Sequence, residues 1–226
     1  AVRTGSGKSQ TTRRVCEILK KKCVQYSIVR HPMPYGRLSQ SIIQKFSKLS
    51  DLDKYHCTIE EREEYEPHIR RGSTVFAGVD YQKILREAEK TSNVIVWDGG
   101  NNDLPFYEPD LHIVVCDPFR VGHESSYHPG EVNLRMADVV VINKVDTAPP
   151  QNVRQLKKNI ALINPKAIVV EAESPISVNK PNLIKKRIAL VVEDGPTVTH
   201  GEMSFGAGFV AARKYGSKKI VNPKRY

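Results

Sequence analysis

Cysteine, tryptophan and long apolar runs are all scarce, and each scarcity removes a class of protein. The four cysteines, Cys16, Cys23, Cys57 and Cys116, form no C-x-x-C pair, and only Cys57 has a neighbouring histidine, His56. Neither a disulfide framework nor a structural zinc site is indicated, and they read as reduced, mostly buried thiols. No apolar run approaches the roughly 20 residues of a membrane-spanning helix, and the stretch from Ala137 to Ile142 is interrupted by Asp138 and stops at Asn143. Nothing resembles a secretory signal, since Ala1 to Arg14 is polar and basic, so no membrane partner and a cytoplasmic setting are expected. Repeats, low-complexity tracts and long linkers are also missing. With 39% hydrophobic and 27% charged residues over 226 positions, a packed globular core is within reach and disorder is not.

Positive charge is what the chain has in excess. Lys and Arg number 35 against 25 Asp and Glu, a formal charge of +10, so the expected partners are anions. A nucleic-acid binder would interleave basic residues with aromatics. The single tryptophan, Trp97, instead sits beside Asp98 at the end of an apolar run, and nucleic acid is not the expected partner. The terminal Lys218, Lys219, Lys224 and Arg225 read as solvated surface.

Short β-branched runs alternate with stretches of helical period, which predicts an α/β fold with a mainly parallel sheet flanked by helices. Strands are expected over Ser27 to Arg30, Val94 to Trp97, Leu111 to Cys116, Val139 to Ile142, Ala167 to Glu171, Ile188 to Val192 and Lys219 to Val221. Helices are expected over Ser9 to Lys21, Tyr81 to Lys90, Asn152 to Ile163 and Ala207 to Tyr215. Residues Tyr35 to Ser73 look less regular, and their acidic patch, Glu60 to Glu66, reads as an exposed helix face. A single domain over residues 1–226 is expected, with residues 187–226 as a substrate-binding subregion.

Val2-Arg3-Thr4-Gly5-Ser6-Gly7-Lys8-Ser9 ends in the GKS of a phosphate loop and runs through Gln10 into a helix-compatible stretch. Glycines at 5 and 7 let backbone N–H groups curl around phosphate oxygens, Lys8 can reach the β and γ phosphates, and Ser9 can ligate Mg²⁺. The match is partial, because Val2 stands where the full pattern wants glycine. Gly5, Ser6, Gly7, Lys8, Ser9 and Gln10 are therefore assigned to the nucleotide, with Lys8 also catalytic.

Val94-Ile95-Val96-Trp97-Asp98 is an apolar strand ending in a carboxylate, the form of a Walker B element, and assigns Asp98 to metal and catalysis. The following Gly99-Gly100-Asn101-Asn102 lacks the fourth-position glycine of a DxxG switch. Val139 to Ile142 delivers Asn143-Lys144-Val145-Asp146, an NKxD element. In such an element the aspartate accepts from the guanine N1 and exocyclic amine, the lysine stem lies along the base, and the asparagine ties this loop to the phosphate loop. Glu171-Ala172-Glu173-Ser174 takes the place of a GTPase SAK loop, with the Ala172 N–H as its base contact. GTP over ATP is the expectation.

Further cations and polar loops lie at strand ends, where open α/β sheets place their ligands. Arg30 and His31 follow one strand, Arg120 and His123 another, and His200 precedes Gly206-Ala207-Gly208 and a helix whose amino end could take an anion. These five, Arg30, His31, Arg120, His123 and His200, are the candidates for a small phosphorylated or acidic substrate.

In order, AVRTGSGKSQTTRR, VRHPMPYG, CTIEEREEYEPHI, FAGVDY, WDGGNNDLPFY, DLHIVV, NLRMADVVVINKVD and VVEDGPTVTHG resemble the P-loop GTPases of the cyclic 2,3-diphosphoglycerate synthetase-like family. The resemblance spans nearly the whole chain. It implies a P-loop NTPase fold of the MinD and BioD superclass, with the first strand and a Rossmann-like domain expected ahead of residue 1. It implies an Mg-dependent ligase that couples NTP hydrolysis to closing a phosphoanhydride on a small phosphorylated acid. Arg3 stands five residues before Lys8, where the MinD-like branch carries its signature lysine, and either acts on the phosphoryl group, in a homo-oligomer across to the partner's nucleotide, or is a solvated loop residue. The alternative function is a GTPase switch or metallochaperone-like GTPase without ligase activity, which would want a Cys/His delivery cluster that the spacing does not supply.

Overall fold

The structure, a computed structural model, describes residues 1–30, 41–100, 103–193, 198 and 202–221. His31, Asn101, Asn102 and His200 lie outside the described residues, as do Lys224 and Arg225. The sheets are mainly parallel and flanked by helices, an α/β architecture. The chain divides into two compact units, residues 8–109 and residues 1–7 with 110–226.

In the 8–109 unit the elements are α1 (Lys8–Lys21), β1 (Tyr26–Arg30), β2 (Gln44–Phe46), α2 (Leu49–Lys54), α3 (Ile59–Ile69), β3 (Thr74–Ala77), α4 (Tyr81–Glu89) and β4 (Val94–Trp97). The sheet runs β2-β3-β1-β4, with β2 antiparallel to β3 and the other pairs parallel. Alternation splits its strands between two faces. Ile28 and Val75 pack with Cys16 of α1, Leu52 of α2 and Tyr65 and Ile69 of α3, whereas Val29 and Phe76 pack with Ile84 and Ala88 of α4. Local chemistry starts the helices where they start. Thr58 and Glu61 close a capping box on α3, and Asp80 accepts the Lys83 N–H at the head of α4.

Two strands were not expected. β2 has three residues, with exposed Lys45 between buried Gln44 and Phe46, and β3 has four directly after a glycine turn. Runs this short carry almost no period. The acidic patch is also more than a solvated face, because α3 turns Tyr65 and His68 inward and pairs Glu64 with Arg30.

The other unit holds β5 (Ile113–Cys116), α5 (His123–Ser126), α6 (Gly130–Met136), β6 (Val139–Ile142), α7 (Pro150–Ile163), β7 (Ile168–Glu171), β8 (Ile188–Leu190), α8 (Ala207–Lys214) and β9 (Lys219–Val221). Strands β5, β6 and β7 form a parallel sheet in that order, and β8 pairs in parallel with β9. Val114, Cys116, Val140 and Ile142 pack with Leu134 of α6 and with Val153, Leu156 and Ile160 of α7. Val2 joins this core and its N–H donates to Val115 O at 3.1 Å, so the phosphate loop departs from a residue anchored beside β5. Val2 also explains Gly130: a Cβ there would lie 2.6 Å from Val2 O.

Candidate functional site

In the 1–7 and 110–226 unit, β5 and β6 run in parallel with Cys116 opposite Ile142, so the residues that follow them, Asp117 and Asn143, emerge side by side. Side chains from the two loops that they open hold the phosphate loop. Asn143 Nδ2 donates to Ser6 O at 3.0 Å, Lys144 Nζ to Gly5 O at 2.7 Å, and Arg120 Nη2 to Thr4 O at 2.7 Å. Three successive carbonyls are thus gripped, which fixes their peptide planes. Gly5 and Gly7 have φ of 72° and 108°, a conformation that only glycine adopts without strain. Lys144, at φ 60°, accepts that strain itself.

Asp117 is the hub of this arrangement. It is 2% exposed, and its Oδ2 receives Arg120 Nη2 and Lys144 Nζ, each at 2.8 Å. Arg120, expected at the substrate, is buried and turned to Asp117 and the loop backbone, where its planar fork serves both.

In the NKxD loop, Asp146 Oδ1 accepts the Ser174 N–H at 2.9 Å, and Val145 N donates to Ala172 O at 3.2 Å. The Ala172 N–H, expected to touch the base, instead donates to Ile142 O at 2.9 Å, because the β6 to β7 pairing carries on past Glu171. The amino end of α8, read as a place for an anion, already has one: Glu193 Oε1 accepts from Gly206 N and Phe209 N, at 3.2 and 2.8 Å.

Arg3 is neither solvated nor pointed at open space. Its guanidinium carbon lies 3.9 Å from the Tyr127 ring centroid and its Nη2 is 3.4 Å from Glu202 Oε1. His123 stands on the same group, with Nε2 3.7 Å from Glu202 Oε2 and its ring 4.8 Å from that of Tyr127.

In the 8–109 unit, β1 and β4 are parallel neighbours with Val29 opposite Trp97, which brings Arg30 and Asp98 together at adjacent strand ends. Asp98 is 2% exposed. Its Oδ1 receives Lys8 Nζ at 2.7 Å and Thr12 Oγ1 at 3.0 Å, and its Oδ2 receives Arg30 Nη1 at 2.6 Å, with His68 Nε2 at 3.7 Å. Burial alone would raise the carboxyl pKa, but the His68 contact and the Arg30 and Lys8 charges outweigh it and hold the group far below the usual range. Arg30, another candidate for the substrate, bridges Asp98 and Glu64. His68 escaped sequence reading, since nothing local says that α3 turns it towards a strand end. Lys8, Ser9 and Gln10 open α1, Ser9 half-buried and Gln10 exposed.

Residues 83–171 match the family described as CobW/HypB/UreG, nucleotide-binding domain. Over that stretch the chain is similar to a P-loop, GTPase-like nucleotide-binding domain. All 226 residues align at 60% identity with a Thermococcus kodakarensis protein named Arginine synthetase ArcE. The chain spans about half the length of that curated relative, 50% of it. Its name differs from the synthetase that the sequence motifs resemble. Among solved structures, the hydrogenase maturation factor HypB of Archaeoglobus fulgidus aligns over 75% of each chain at 19% identity and a TM-score of 0.42. The MinC:MinD cell division complex of Aquifex aeolicus aligns over 99% of this chain and 80% of its own at 14% identity and a TM-score of 0.32.

Proposed function

We propose that the chain binds Mg²⁺ with a nucleoside triphosphate, GTP in preference to ATP, and serves as the nucleotide half of a synthetase. The observation that supports this most is the grip of the NKxD side chains on the phosphate loop, Asn143 on Ser6 O and Lys144 on Gly5 O. A triphosphate on that loop would have its base at Asp146, whose carboxylate suits guanine and not adenine. Lys8 would serve the β and γ phosphates. Asp98 Oδ1 accepts from Lys8 Nζ and Thr12 Oγ1, so Ser9 and Asp98 would hold Mg²⁺ only once Lys8 has turned from that oxygen to the phosphates. When bound, Mg²⁺ would offset the charge of the phosphate oxygens.

In such a synthetase an oxygen of the small substrate attacks the γ phosphorus, the bond to the β-phosphate oxygen breaks, and the nucleoside diphosphate leaves. A second nucleophile then displaces phosphate from the activated substrate. For a product such as arginine, named for the relative, the activated oxygen would belong to a ureido group, and a nitrogen nucleophile at its carbon would leave a guanidinium, phosphate and a proton. For a cyclic bisphosphoglycerate, a neighbouring phosphate would close the ring. Arg30 and Arg120 both neutralise internal carboxylates, which favours the less anionic substrate. The second reading, a GTPase switch or metallochaperone, draws on the CobW/HypB/UreG match, although no group of three or more His, Cys, Asp or Glu that could hold a metal ion occurs among the described residues.

Calorimetry with GTP and ATP in Mg²⁺ tests the nucleotide part. GTP should bind at least about tenfold more tightly, and Asp146→Ala should erase the difference. Equal affinities in the unaltered chain would refute the base assignment. Phosphorus NMR of the complete protein with GTP and a ureido amino acid or 2,3-bisphosphoglycerate separates the syntheses from a switch, which yields only GDP and phosphate.

A further inference from the structure

A guanidinium is flat, charged and rimmed with N–H donors, so it is best held by an aromatic face on one side and a carboxylate at its edge. Tyr127 and Glu202 make that arrangement. The Tyr127 hydroxyl donates to the Glu202 carboxylate, 3.0 and 2.9 Å from its two oxygens, which locks acceptor and ring to each other. His123 packs against the Tyr127 ring and approaches the other side of the carboxylate. The Glu202 side chain is 56% exposed, so the cage opens to solvent. Its occupant, Arg3, belongs to the stretch entering the phosphate loop, two residues before Gly5. An internal guanidinium therefore fills a guanidinium cage beside a loop built for phosphate.

We propose that Tyr127, Glu202 and His123 form the binding site for the guanidinium end of arginine or a close analogue, and that Arg3 is its placeholder in the ligand-free protein. Ligand and Arg3 exclude one another, so entry of the ligand turns the Arg3 side chain out of the cage. This rests on the synthetase reading above, in which a guanidinium is made, and supplies that reading with a site. It also gives Arg3 a defined resting place and ties its release to the presence of a small molecule.

The test is calorimetry with L-arginine, and with L-lysine as a cation of the wrong shape. An internal occupant present about nine-tenths of the time lowers apparent affinity about tenfold. Arg3→Ala should therefore bind L-arginine at least about tenfold more tightly than the unaltered chain, without gaining for L-lysine. Adding Glu202→Gln or Tyr127→Leu to Arg3→Ala should remove the gain. A second measurement guards against folding defects: low-millimolar guanidinium should raise the melting temperature of Arg3→Ala and not that of Arg3→Ala/Glu202→Gln. No gain for L-arginine, a gain that survives the Glu202 and Tyr127 changes, or a flat melting temperature would each overturn the cage. GTP binding, read in the same samples from Trp97 fluorescence, separates the two ideas. Retained GTP binding without an arginine gain sinks the cage alone, whereas a chain that gains arginine but never binds GTP keeps the cage and loses the synthetase reading.

Discussion

Asp98 and Asp117 are built from the same parts and differ in what those parts can do. Each is 2% exposed and follows a parallel strand, β4 in one unit and β5 in the other. Each holds one arginine and one lysine: Arg30 and Lys8 on Asp98, Arg120 and Lys144 on Asp117. The cations of Asp117 have second jobs that keep them in place, on Thr4 O and Gly5 O. Among the described residues, Lys8 has only the pair with Asp98 to hold its ammonium, and in the proposed function it has phosphates to go to. One hub is therefore a fastening and the other an exchange point. A buried ion pair says little about stability by itself, because desolvation offsets the attraction, so its use must be read from where its members can go next.

The contrast is broken most forcefully at Asp117. Asp117→Ala leaves Arg120 and Lys144 without their carboxylate and should destabilise the unit by about 3–5 kcal/mol in urea unfolding, the range for an orphaned buried charge. A loss below about 1 kcal/mol would mean that the hub fastens nothing. Next in size is Asp98→Asn, whose main effect should appear in ligand linkage. With Lys8 released from its pair, nucleotide affinity without Mg²⁺ should rise several-fold, while the gain normally brought by Mg²⁺ disappears. Titrations with and without Mg²⁺ check both, and a fall in Mg²⁺-free affinity would return Asp98 to the fastening class.

Asp98, Asn143, Lys144 and Asp146 could be picked out in the sequence because each follows an apolar run that is itself a strand signal. Their motifs are local, and so were the long helices α1, α4, α7 and α8, expected to within two residues of their ends. Partners set far apart were not legible. His68 and Glu64 reach Asp98 and Arg30 only because α3 packs on the sheet, and Arg30 and Asp98 themselves are 68 positions apart. Strand-end position made Arg30 and Arg120 candidates for a ligand, but did not tell that each faces a buried carboxylate. Ala172 failed for a related reason, since only the register of β7 on β6 shows that its N–H is spent.

Acid should sharpen the contrast with a smaller effect. The Asp98 pKa is held below the ordinary carboxylate value, so its contribution to stability is complete above about pH 4–5, erodes as the pH drops through about 3.9, where only the unfolded chain takes up a proton, and is gone once the folded-state value is passed. Urea midpoints from pH 7 to pH 3 should fall below about pH 4 in the unaltered chain and less steeply in Asp98→Asn. Parallel curves would show that Asp98 is not the group responsible.

The smallest effect is a thiol readout of the two hubs. Cys116 directly precedes Asp117 and is fully buried, and burial followed by the nearby Glu124 charge pushes its thiol far up. Cys16 is pushed up to about 11, first by burial and then by the Asp98 charge. A thiolate is the reactive form, so at pH 8 exposed Cys23 should be alkylated first and Cys16 and Cys116 hardly at all in the native chain. If Asp117 is the fastening, Asp117→Ala should expose Cys116 to reagent while Cys16 stays protected. Asp98→Asn, at an exchange point, should leave both protected. Protection of Cys116 in Asp117→Ala, with Cys16 exposed in Asp98→Asn, would reverse the assignment of the two hubs.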